Sequence, residues 1–163
     1  YKLTNQKMKT IRKSFLLSFA VAFFGLLTMN TNAQSTNGGK TGLGVMIGEP
    51  TGITLKSWTN ERNAFDVGLA WSLSGTDDIY IHADYQWHKP LEVDKGNLSF
   101  FYGLGARAIF SNDTFFGARI PLGLSYLAPE APLEFYLEVA PVINLIPDTD
   151  GDADGGIGIR YYF

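Results

Sequence analysis

Residues 65–73, Phe65-Asp66-Val67-Gly68-Leu69-Ala70-Trp71-Ser72-Leu73, and residues 79–87, Ile79-Tyr80-Ile81-His82-Ala83-Asp84-Tyr85-Gln86-Trp87, alternate apolar with small or polar side chains almost without a break. A period of two puts the two classes on opposite faces of an extended chain, which a helix of period 3.6 would not do. Between them Ser74 to Asp78 supplies turn-forming residues, so the pair reads as neighbouring antiparallel strands.

The alternation continues in both directions. Upstream, Leu43, Val45 and Ile47 oppose Gly42, Gly44 and Met46, and Ile53 and Leu55 oppose Thr54 and Lys56. Downstream the parity switches once, with Phe100, Tyr102, Leu104, Ala106 and Ala108 opposite Phe101, Gly103, Gly105 and Arg107, then Ala118 to Tyr126 opposite Arg119, Gly123 and Ser125. Phe135, Leu137 and Val139 then oppose Glu134, Tyr136 and Glu138, and Ile157, Ile159, Tyr161 and Phe163 oppose Gly156, Gly158, Arg160 and Tyr162. Eight segments result, separated by turn signals at 48–52, 59–63, 74–78, 88–97, 111–114, 128–132 and an acidic 147–155. Pro121 and Pro141 each remove a ladder donor in mid-strand and are candidate bulges at which the register could shift.

Which face is oily decides the surroundings. Mean hydropathy is zero and 45% of residues are apolar, which fits a soluble or a membrane protein equally. The non-oily face is mainly glycine: Gly42, Gly44, Gly68, Gly103, Gly105, Gly123, Gly156 and Gly158 share it with the charged residues. Such a face suits the cramped interior of an eight-stranded barrel. The register collects Lys56, Arg107, Arg119 and Arg160 there with Asp66, Asp84, Glu134 and Glu138, a balanced set able to form an ion-pair network in the lumen. The bland alternative is a row of solvated strand faces in a soluble sandwich. Trp71, Tyr85, Trp87, Tyr102, Tyr126, Tyr161 and Phe163 fall on the oily face near strand ends, as an aromatic girdle would, although β-propensity alone also favours them in strands. The expected fold is all-β: an eight-stranded antiparallel up-and-down transmembrane β-barrel over residues 41–163, with both termini on the periplasmic side.

Met8-Lys9-Thr10-Ile11-Arg12-Lys13, the apolar run Phe15 to Leu27 and the small or polar Thr28 to Ala33 form the three parts of a cleavable secretory signal peptide. At 13 residues the apolar run is short of the roughly 20 that span a bilayer as a helix. Residues 1–33 are therefore assigned to an upstream extension plus signal peptide, and 34–40 to a flexible lead-in. Beyond Ala33 there are 8 basic against 16 acidic residues, a formal charge of −8 that excludes nucleic acid as a partner. Cysteine is absent, which excludes disulfides and thiol chemistry.

Gly48-Glu49-Pro50-Thr51-Gly52, His82-Ala83-Asp84-Tyr85, Arg119-Ile120-Pro121-Leu122-Gly123-Leu124 and the ending Gly156-Ile157-Gly158-Ile159-Arg160-Tyr161-Tyr162-Phe163 resemble a family of short, functionally uncharacterised bacterial outer-membrane barrels. The similarity runs from about Gly42 to Phe163 and extends more loosely to the OmpA and OmpX transmembrane barrels, without their long surface loops. It implies an outer-membrane location and supplies no catalytic residue. It also implies that Ile157, Ile159, Tyr161 and Phe163 form the closing-strand signal read by the barrel-assembly machinery.

The chemistry-bearing residues are few. His82 and Asp84 share the lumen face, His88 lies just past the strand, and Ser72 or Ser125 could serve as the hydroxyl of an acyl-transfer site, but nothing in the sequence brings them together. Asp148, Asp150, Asp152 and Asp154 alternate along the acidic loop and match the first half of an EF-hand, yet position twelve is Tyr161 instead of Glu, so the loop reads as a solvated tip and only a weak divalent site. Gly42-Leu43-Gly44 with Gly48 has the wrong spacing for a nucleotide loop, and no helix follows. The expectation is a monomeric, non-enzymatic barrel with a filled polar lumen and no cofactor, in contact with outer-membrane lipid. Two readings compete with it: a soluble secreted β-barrel holding a small hydrophobic ligand, and a lipid-modifying outer-membrane enzyme.

Overall fold

The period-two segments form extended strands in the computed structural model, which describes residues 39–71, 79–111 and 114–163. The expected signal peptide, the lead-in up to residue 38, and Ser72 lie outside the described residues. Those described form β1 (Thr41–Glu49), β2 (Gly52–Trp58), β3 (Asn63–Trp71), β4 (Ile79–Leu91), β5 (Asn97–Phe110), β6 (Thr114–Arg119), β7 (Leu122–Leu127), β8 (Leu133–Ile146) and β9 (Asp150–Tyr162).

Every pairing is antiparallel and, apart from β5–β7 and β6–β8, joins chain neighbours, and β9 pairs back onto β1, with Val45 opposite Ile159. Both β6 and β7 lie between β5 and β8. They are two halves of one stave, so the ring has eight. Closure leaves the sheet without an end strand, while the extensions at 89–91 of β4 and 150–154 of β9 are paired on one side alone.

Pro121 splits that stave without shifting it. Arg119 faces Val142 before the break and Leu122 faces Val139 after it, which is the same register. The register is likewise continuous through Pro141, from Glu134 opposite Arg160 to Asn144 opposite Asp150. The slip occurs instead between Phe116 and Gly117. Around the prolines the ladder is maintained by neighbours: the Ile120 N–H donates to the Pro141 carbonyl at 3.0 Å and the Gly103 N–H to the Pro121 carbonyl at 2.8 Å.

Several strands outrun their expected limits. β4 continues through His88 to Leu91, and β8 continues through Pro141 to Ile146. The acidic segment expected as a loop over 147–155 is strand from Asp150 onward, because each residue from Asp150 to Asp154 finds a partner on β8.

Burial is inverted relative to a water-soluble core. Leu43, Ile47, Leu104, Leu137 and Ile157 are exposed, Ile47 by 63%, whereas Lys56 and Arg119 are at 0%. An outward residue that departs from this pattern is Leu55, which is buried with Leu43 and Val67 as its cross-strand neighbours. Among the described residues, buried apolar side chains gather in two small clusters. Trp58, Ala64, Leu127 and Tyr162 close the rim that holds the chain end, and Met46, Phe101 and Tyr136 form the second. Size complementarity lets these large side chains fit: Phe101 lies over Gly123 and Tyr136 over Gly158, each glycine being the residue directly opposite on the next strand.

Candidate functional site: the buried polar interior

The inward face of each strand delivers alternate residues to the axis, and the lateral register stacks them in tiers. In the tier nearest the chain end, Lys56 of β2 donates to Glu134 of β8 at 2.8 Å and approaches His88 Nε2 of β4 at 2.8 Å. An ammonium has no acceptor, so His88 must accept at Nε2, which leaves its Nδ1–H for the Arg62 carbonyl at 3.3 Å. Glu134 also accepts from Ser125, from Tyr162 at 2.9 Å and from Arg160 at 3.1 Å. The Lys56 ammonium lies 4.8 Å from the centre of the Trp58 ring, a cation–π arrangement that offsets part of its desolvation.

Arg160 of β9 organises the next tier. Its guanidinium donates to Thr54 at 2.8 Å, to Asp66 at 2.5 Å and to Glu134, while its plane lies 3.7 Å from the centre of the Tyr136 ring. Above it Arg119, fully buried, pairs with Glu138, with Asp84 at 3.2 Å and with Asp154 at 3.2 Å, and donates to the Tyr80 hydroxyl at 2.7 Å. At the far end Arg107 pairs with Asp152 and Asp154 and donates to Asn144 at 3.0 Å. Tyr80 in turn donates to Asp154 at 2.5 Å.

All eight residues singled out for the interior are thus buried, and they lie in successive tiers along the barrel. Two further carboxylates join them beyond the eight expected: Asp154, a fifth buried one, and Asp152, half-exposed at the rim. Both sit on the even face of β9 with Arg160 and Tyr162, so the signal was present and was masked by the turn-like composition of the acidic run. His88 was placed past the strand end, and its even parity with His82 is what carries it inside. Buried ions of this kind are tolerated only when paired, and a fixed donor fork such as arginine's meets two carboxylates at once.

Of the residues named for the catalytic alternative, Ser125, His82 and Asp84 are among the described ones. Ser125 donates to Glu134, while His82 Nε2 lies 3.7 Å from Asp66 and 4.0 Å from Asp84. For the divalent site, Asp152 and Asp154 are held by arginines while Asp148 and Asp150 are exposed, and among the described residues no group of three or more acidic or histidine side chains could hold a metal ion. The four closing-strand residues Ile157, Ile159, Tyr161 and Phe163 point outward from β9 and the residue after it, and the Phe163 N–H donates to the Thr41 carbonyl at 2.9 Å.

The ring of eight staves has a solved counterpart. The crystal structure of the N-terminal β-barrel domain of Pseudomonas aeruginosa OprF matches this chain with a TM-score of 0.53 at 13% identity, covering 77% of this chain and 99% of that one. The likeness is one of fold. No protein-family model matches the sequence, and no curated protein matches it.

Proposed function

We propose that this chain is a small integral protein of the bacterial outer membrane, exported by its N-terminal signal, and that its filled interior makes it a structural or surface-interaction element instead of a diffusive porin or an enzyme. The inversion of burial carries the reading. Arginines at 0–3% exposure sit inside a closed ring whose outer wall is Leu, Ile, Val and aromatic residues. In water that wall would be an extended apolar surface far larger than soluble monomers show. In hydrocarbon it is the favourable face, and ring closure meets the demand that no backbone group stay unpaired. A soluble carrier of a hydrophobic ligand would need the opposite arrangement.

Aromatic side chains support the same reading. Tyr85, Trp87, Tyr102 and Phe100 form a ladder across β4 and β5, with neighbouring ring centres 5.0–6.3 Å apart, and Tyr126, Tyr161 and Phe163 lie towards the same rim. Such belts mark the level of lipid headgroups. Outer-membrane lipid and, during insertion, the barrel-assembly machinery are the proposed partners, with a monomer as the functional unit. Fractionation of cells expressing the full chain tests this: the mature protein is expected in the outer-membrane fraction with heat-modifiable migration on a gel, and recovery in the soluble periplasm overturns the proposal. Planar-bilayer recording is expected to give no large, stable conductance.

A further inference from the structure

The outer wall is not uniform. A groove of about 520 Å³ crosses β1, β9, β8, β7 and β5 on the outside of the ring. One bank is the cross-strand row Val45, Ile159, Phe135, Tyr126 and Leu98, each directly opposite the next. The other bank is the parallel row Ile47, Ile157, Leu137 and Leu124. Between the banks the intervening residues turn their side chains inward, so the floor is the backbone around Tyr136 and Gly158, where glycine adds no bulk.

The dimensions and ends of this trough identify its occupant. Five strands at about 4.8 Å spacing make a channel roughly 19 Å long, the scale of one extended acyl chain, while two residues along a strand set its width at about 7 Å. Its walls are almost wholly apolar. At the Leu98 end it meets the 92–96 turn, where the Tyr126 hydroxyl approaches the Lys95 carbonyl at 3.5 Å and Lys95 itself is exposed. Lys95 enters no ion pair among the described residues. From that rim the trough climbs across the sheet to Ile47, two residues below Glu49 at the opposite end of β1. A cation at the headgroup level and an oily channel leading away from it match the two parts of an anionic phospholipid.

We infer that the trough is a bound-lipid site, taking one acyl chain of a phospholipid between the two rows with the phosphate at Lys95. The inference rests on the outer-membrane reading, since only then does this wall meet lipid. Native mass spectrometry of the folded full-length barrel, released from detergent with dipalmitoyl phosphatidylglycerol, tests it. Wild type is expected to retain one lipid per chain. Ile159→Trp, which roofs the channel, and Lys95→Glu, which repels the phosphate, are each expected to weaken retention about tenfold or more. Ile143→Trp places the same bulk on an exposed β8 position outside the trough and is expected to leave retention unchanged. Equal retention in wild type and Ile159→Trp overturns the site, as does a lipid-free dimer with the trough at its interface. Both outcomes would be seen on protein that still migrates as a heat-modifiable barrel. Failure of the membrane reading shows up separately, as soluble protein in the fractionation.

Discussion

Arg160 shows what the interior demands of a single side chain. It faces Thr54 on β2, Asp66 on β3 and Glu134 on β8, so removing it leaves two buried carboxylates without their shared cation. Breaking a buried pair in this way typically costs about 3–5 kcal/mol. Arg160→Ala should therefore unfold at markedly lower urea than wild type when the heat-modifiable band is followed, and an unchanged midpoint would contradict the pairing. Glycines give a second test at the same scale. A Cβ at Gly68 runs into the His82 ring, whereas one at Gly151 meets nothing within 4 Å. Gly68→Ala is expected to lose about 1–3 kcal/mol by overpacking, and Gly151→Ala almost nothing by the same urea titration. Which residues turn inward was legible from parity alone, since side-chain direction in a strand is set by the backbone. Which cation meets which carboxylate was not, because partners such as Arg160 and Asp66 are 94 residues apart and only the closed register brings them together.

Strand limits were less legible than strand faces. Composition marked 147–155 as a turn, yet lateral pairing with β8 extends β9 back to Asp150, because a backbone ladder can be continued by residues of low intrinsic β-propensity when a partner strand is already in place. The prolines mislead in the opposite sense. Each forfeits one donor, but Ile120 and Gly103 bond across to the proline carbonyls and hold the ladder in step. Amide exchange in micelles should consequently find the Ile120 and Gly103 protons protected to the degree of β8 interior amides. Exchange as fast as in the 59–62 turn would show that the stave is open at Pro121.

At the scale of the whole molecule the fold class was readable because a single question, which face is oily, had one answer along nearly the whole chain. The proposed surroundings of the barrel follow from that answer, and a role beyond them does not, because the buried charges pair with one another across the ring. Removing residues 150–163 deletes β9 and with it Arg160, Asp152 and Asp154, which opens the ring between β8 and β1. That truncation is expected to abolish the heat-modifiable form entirely, and a folded, membrane-inserted product would refute closure by β9. The long-range ion pairs have a bearing on biogenesis. Until the final strand docks, Asp66 and Glu134 lack their Arg160 clasp, and an unfinished sheet entering hydrocarbon would drag unpaired carboxylate charge with it. For the proposed membrane protein, insertion and closure are then expected as one concerted event, sheltered from the bilayer until the seam is sealed.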